Sequence, residues 1–151
     1  MKALGKVLKF MAVVVTILAA LFVGRLYSEG VESRSLPPME VEGLSCPDKP
    51  NCVSSKVTHP ERQIPPLPKG TTPEQVTDAL SQMGLVVSPI NGNHIHAEAT
   101  SSLFQFVDDV DIIFPETPGG DIHIRSASRV GYSDLGANAA RVDRLRHLLS
   151  K

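Results

Sequence analysis

The hydrophobic pattern changes character along the chain, and each change predicts a different element. From Phe10 to Gly24 the sequence FMAVVVTILAALFVG is uncharged and apolar on every face, with Lys2, Lys6 and Lys9 before it. Ser28–Leu44 is polar, contains Pro37-Pro38 and shows no period, which predicts a linker. Thr58–Gly70 carries Pro60, Pro65, Pro66 and Pro68 and must be extended, with Ile64 and Leu67 available to pin it to a core. A helical period then begins. Val76, Ala79, Leu80 and Met83 fall on one face, behind Thr72 as N-cap, Pro73 at the first helical position and Gln75 completing a capping box. Gly84 stops it.

The period next falls to two, the strand signature. Leu85–Ile90 and Asn93–Thr100 flank Asn91-Gly92, a hairpin signal. Phe104–Phe114 places Phe104, Phe106, Val110, Ile112 and Phe114 on one side. Asp121–Ser128 sets Ile122 and Ile124 against His123 and Arg125, after a loop of turn residues from Pro115 to Gly120. A last helix runs from about Asn138 with Val142, Leu145 and Leu149 as its apolar stripe. Arg144, Arg146, His147 and Lys151 gather at its carbonyl end, where cations are favoured. Hairpin-length connections require antiparallel pairing. The expected fold is α+β: a four-stranded antiparallel meander sheet with two helices on one face and the other face partly exposed, preceded by an N-terminal hydrophobic segment. The expected divisions are a signal anchor or signal peptide over 1–27, a linker over 28–45 and one domain over 46–151.

The fifteen residues of Phe10–Gly24 are fewer than the roughly 18–20 that span about 30 Å of hydrocarbon. Lys9 and Arg25 can snorkel from the two ends, and Leu26 and Tyr27 extend the apolar face. A basic region before an apolar core is also the pattern of a secretory signal peptide, but Ser28 and Gly30 fit a cleavage site only loosely. An uncleaved anchor therefore fits better than a removed signal, and both remain open. A buried core helix fits poorly, because no face is polar. A lipoprotein would need Cys46 directly after the apolar segment, and it lies more than twenty residues later. The positive-inside rule leaves the lysines in the cytoplasm and everything after Tyr27 outside, in the periplasm or another extracytoplasmic space. A cleaved leader would release the domain into that space.

That compartment bears on Cys46 and Cys52, in GLSCPDKPNCVSS. An even pair so close in an oxidising space predicts a disulfide, worth about 2–2.5 kcal/mol through chain entropy. Two thiolates without a nearby histidine make half a zinc site at best. Charge narrows the partners: beyond Gly30 the chain holds 11 of its 15 Lys/Arg and 15 of its 16 Asp/Glu, a net charge near −4. Such a surface repels nucleic acid phosphates.

The densest polar run is Arg125, Ser126, Ser128 and Arg129, then Tyr132 and Asp134, ending in Asn138 and Arg141. A strand end, a glycine loop and a helix start meet there, so an anion could sit among arginines and free N–H groups. The same arginines could instead neutralise Asp108, Asp109 and Asp111, with Asp134 and Asn138 acting as caps. Asp108 falls in an inward-pointing alternation and needs a partner, for which Arg125 or Arg129 is the natural candidate. A buried structural pair and an acid/base carboxyl are the two readings of it. His94, His96 and His123 could share the outer face with Asp109 and Asp111, an arrangement that binds a divalent transition metal but is more often solvated. No activated serine, phosphate loop or nucleotide fingerprint is present, and the sequence assigns no metal or cofactor.

Three stretches, CPDKPNCVSS (Cys46–Ser55), LFQFVDDVDIIF (Leu103–Phe114) and IHIRSASRVGYSDLGANAARVDRLR (Ile122–Arg146), together resemble the domain-of-unknown-function family numbered 1499. The resemblance runs from about Cys46 to the C-terminus, and His94-Ile-His96 carries none of its signature. It implies no activity, cofactor or substrate. Three functions follow as expectations: a membrane-anchored binding module for an anionic ligand or protein partner, a small hydrolase or transferase using Asp108 with Arg125 or Arg129, and a structural envelope protein.

Overall fold

A computed structural model describes residues 2–39 and 42–150 of the protein. The apolar segment belongs to one continuous helix, α1 (Lys2–Ser35), about 50 Å long. It is long and apolar enough to cross a membrane, with a mean hydropathy of 2.5 in its most apolar window, none of it buried in protein. The hydroxyl of Thr16, the polar side chain within this apolar stretch, donates back to the Ala12 carbonyl at 2.9 Å. The helix does not stop where the linker was expected to begin. Ser28–Ser35 is its last two turns, and Ser33 is fully buried against the domain.

The sheet has five strands rather than the expected four: β1 (Cys52–Ser54), β2 (Val86–Val87), β3 (His94–Thr100), β4 (Val107–Ile113) and β5 (His123–Ser128). All pairs are antiparallel, in the order β1-β5-β4-β3-β2. The last four are the expected meander. β1 adds at the edge of β5, with Val53 opposite Ser126. Three residues are too few to show an alternation. The sheet holds them through β5 and the disulfide Cys46–Cys52, whose Cα atoms are 5.7 Å apart. β4 begins at Val107 and not at Phe104, because Gln105 takes φ of 57° and ends the extended backbone there.

α2 (Pro73–Gln82) has the expected capping box: the Gln75 N–H donates to Thr72 Oγ1 at 3.3 Å and the Thr72 N–H to Gln75 Oε1 at 2.9 Å. α3 (Ala137–Leu149) starts at Gly136, and the cap comes from Asp134, whose Oδ2 accepts the Asn138 N–H at 2.7 Å. Both helices cover one face of the sheet. Val76, Leu80, Val142 and Leu145 pack there on Ile95, Val110, Ile112 and Ile124, all essentially inaccessible. The opposite face is not left partly open at its centre. The segment after α1 crosses it: the Leu36 carbonyl accepts from Arg129, the Met39 N–H donates to Asp109, and the Leu44 carbonyl accepts from Ser54. Glu40 and Val41, within the expected linker, lie outside the described residues.

The disulfide closes a short loop onto β1, so the paired Cys46→Ala, Cys52→Ala variant should lose about 2 kcal/mol, a fall in Tm of about 10 °C for a domain of this size. Calorimetry of oxidised and variant protein checks it; an unchanged Tm would show that β5 alone holds β1.

Candidate functional site

Strand β4 carries three carboxylates within four residues, and the two-residue period divides them between the faces. Asp108 points to the helices; Asp109 and Asp111 point to the strap-covered face. Each is paired with a different arginine: Asp108 with Arg141 at 2.6 Å, Asp109 with Arg129 at 2.6 Å, and Asp111 with Arg125 at 3.0 Å. The expected pairing of Asp108 with Arg125 or Arg129 is therefore corrected. Register sets Asp108 opposite Ser128 and Asp111 opposite Arg125, which removes both arginines to the other side of the sheet.

On that side, His96 Nδ1 and His94 Nε2 approach Asp111 Oδ1 at 2.9 and 3.1 Å. Arg125 is completely buried, with its NH2 against Met39 Sδ and its Nε without a hydrogen-bond partner among the described residues. Arg129 bridges Asp109 and Glu98, and hydrogen bonding to Asp109 holds its guanidinium above its ordinary pKa. The hydrogen bond to Asp111 raises the His96 pKa, helped by the charges of Asp111, Asp109 and Glu98, against an opposing effect of burial. Burial works to raise the Asp111 carboxyl, but the hydrogen bonds and charges of His96, Arg125 and His94 leave it lowered. His96, Glu98 and Asp109 bring one ligand atom each to within 4.8 Å of one another, close enough for a divalent ion. Arg129 already supplies positive charge to both carboxylates, so the donor set is that of an ion-pair network. His123 stands apart, its Nδ1 3.1 Å from Ser55 Oγ, and burial lowers its pKa.

On the helix side, Arg141 NH1 donates to Ser126 Oγ at 2.9 Å and to Asn138 Oδ1 at 2.6 Å. Asn138 Nδ2 donates to the Asn51 carbonyl and to Ser128 Oγ. The sequence-predicted residues thus fall into three groups. Arg125 and Arg129 lie under the strap. Asp108, Ser126, Ser128, Asn138 and Arg141 form a buried polar cluster that ties α3 to the sheet. Tyr132, 73% exposed, and Asp134 stand on the rim. The structure does not bring the arginines together around one anion.

What it does bring together is a cleft of about 550 Å³ beside α1. Phe22 and Leu26 of α1 form one wall, Phe104 and Phe106 a second, and Val130 and Leu135 a third; Asp108, Ser128 and Asp134 also line it. Val130 and Leu135 escape notice in the sequence because they lie in the loop before α3, outside any period, whereas Phe22, Leu26, Phe104 and Phe106 belong to expected apolar stretches that only the fold brings together. The signal was there in the form of Leu103-Phe104 and Leu135 standing where polar residues are the rule.

Arg125→Met leaves buried Asp111 with His96 and His94 as its remaining partners, so it should cost about 3 kcal/mol, and adding Asp111→Leu should recover part of it. Urea midpoints of the two variants check this; equal losses would show that packing, not charge, is at stake. The His96 shift has a definite sign. Its raised pKa gives stability that is complete below the unfolded value of 6.5 and lost as pH rises through the higher folded value. The lowered Asp111 pKa gives stability lost as pH falls below 3.8. Wild type should weaken relative to His96→Gln as pH rises above 6.5, and the difference isolates His96 because His123 is common to both. A pH-independent difference would contradict the pairing.

Among curated proteins, none matches the chain. The profile of a family described as "Protein of unknown function (DUF1499)" matches residues 44–149, the whole sheet with both covering helices and more than two thirds of the chain. The protein is a member of the DUF1499 family carrying an apolar N-terminal helix, of the kind that serves as a signal anchor or signal peptide, ahead of the family domain.

Proposed function

We propose that this protein is an extracytoplasmic binding module, anchored in the cytoplasmic membrane by α1 and working at the bilayer surface on the periplasmic or equivalent side. The lysines before the apolar stretch and the cystine after it support that orientation. The observation that carries the reading is the joint between α1 and the sheet. Ser33 Oγ accepts the Val107 N–H at 2.7 Å and donates to the Val107 carbonyl at 3.2 Å, in a buried position. Arg34 bonds Gln105, and Gly30 lies so close to the Phe104 carbonyl that a Cβ would collide with it.

A domain joined in this way cannot drift from the membrane on a flexible tether. Its loop tips meet the bilayer instead. Leu103 and Phe104 lie beside Ala19, Val23 and Tyr27 of α1, and Leu103 and Leu135 are 76% and 97% exposed. That apolar rim also accounts for the shortness of the Phe10–Gly24 stretch, since it extends the lipid-facing surface past Gly24. An anionic ligand gains little support, because Arg125, Arg129 and Arg141 are each neutralised internally. An acid/base role for Asp108 gains none from its tie to Arg141. The strap over the outer sheet face also removes the flat interface that a structural envelope protein would use.

Nitroxide labels at single cysteines replacing Leu103, Leu135 and Glu116 test this in vesicles containing the full chain, since the native cysteines are bonded to each other. β4 runs away from α1, so Glu116 sits at the far end of the sheet. Positions 103 and 135 should favour membrane-soluble oxygen over a water-soluble nickel chelate, and 116 the reverse. Equal accessibility at all three would contradict the reading. Gly30→Val should erase the difference while leaving the domain folded.

A further inference from the structure

The cleft beside α1 opens where α1 would leave the bilayer, and its walls are of two kinds. Phe22, Leu26, Phe104, Phe106, Val130 and Leu135 make it apolar, with Phe104 and Phe106 edge to face at 6.3 Å. Its volume of about 550 Å³ is in the range of small-molecule sites. One wall is the lipid-facing side of α1 itself, so the apolar interior continues into the apolar belt of the helix without a polar step. An acyl chain could slide in sideways from the outer leaflet and exchange one hydrocarbon surrounding for another.

The polar side of the cleft selects the head group. Among the described residues no lysine, arginine or histidine lines it, whereas Glu29, Asp108 and Asp134 do, together with Ser101, Ser128 and Ser133. Glu29 is held by Arg25, and Asp108 by Arg141 through Oδ2. Asp108 Oδ1 accepts no hydrogen bond among the described residues. A group brought to this wall meets hydrogen-bond acceptors, and because Glu29 and Asp108 are paired, the net negative charge comes from Asp134, which has no ion-pair partner among the described residues. A phosphate or carboxylate without a donor of its own would be repelled; an ammonium would be held.

We infer that this cleft binds a membrane lipid by one acyl chain, with a donor-bearing ammonium head group at the Asp108 side. This rests on α1 lying in the bilayer, and the test separates the two. Full-length protein is reconstituted into vesicles of phosphatidylethanolamine and phosphatidylglycerol, with a diazirine on an acyl chain of one lipid or the other. Cross-links are mapped by mass spectrometry. The ethanolamine probe should label Phe106 and Val130 as well as the lipid-facing residues Val13–Leu18. It should do so about tenfold more than the glycerol probe at the cleft positions, the ratio expected of one added charge-assisted hydrogen bond.

Val130→Trp, which fills the cleft, should remove the labels at Phe106 and leave those on α1. Leu135→Asp should also weaken them from a fully exposed site, so misfolding cannot account for both. Labels confined to α1, unchanged in either variant, would overturn the cleft and leave the anchor standing. Equal labelling of the cleft by the two probes would overturn the head-group assignment. Absence of label from α1 as well would overturn the anchor reading.

Discussion

One buried hydroxyl, that of Ser33, joins two structures with opposite solvent requirements. The apolar side chains of α1 are more than half exposed along most of its length, a surface of the kind that lipid covers. The sheet and helices that follow are an α+β unit with a closed core. Ser33 satisfies both backbone groups of Val107, the first residue of the central strand β4, so α1 is hydrogen-bonded into the middle of the sheet. The bonds replace a tether with a joint, and Gly30 lets the two backbones come close enough to make it.

From that joint the chain turns onto the sheet face that α2 and α3 leave uncovered. It lays Leu36–Met39 over Asp109, Arg125 and Arg129. Burying charge there costs several kcal/mol per ion unless each ion is paired and bonded. The network meets that condition nearly everywhere, Arg125 Nε and His96 Nε2 being its buried atoms without partners among the described residues. Charge pairing on this face and polar bonding through Asn138 and Arg141 on the other fix where α1 and α3 lie relative to β4. Both therefore define the cleft, although neither network supplies its apolar walls.

The parts legible in the sequence were those with a period or a cap. Thr72-Pro73-Glu-Gln75 announces α2, and the alternation through Ile95, Val110, Ile112, Ile122 and Ile124 gives the sheet and its core face. The disulfide followed from the spacing of two cysteines. β1 was not legible, because three residues express no alternation and are held by their neighbours. The continuation of α1 through Ser35 was hidden too, since its last turns are polar and their burial comes from β4. The arginines were visible as a dense run, but which carboxylate each one meets depends on strand parity and register. A shift of one residue sends a side chain to the opposite face. The cleft walls come from three separate segments, and no local pattern links Leu26, Phe106 and Leu135.

The central claim is that α1 and the domain move as one body. Its most direct test is a pulsed electron spin resonance distance between nitroxides at Ser28 and Glu116 in bilayer nanodiscs, one label on each side of the joint. A single narrow distance distribution is predicted. A broad distribution, as from a domain swinging on a free linker, would contradict it.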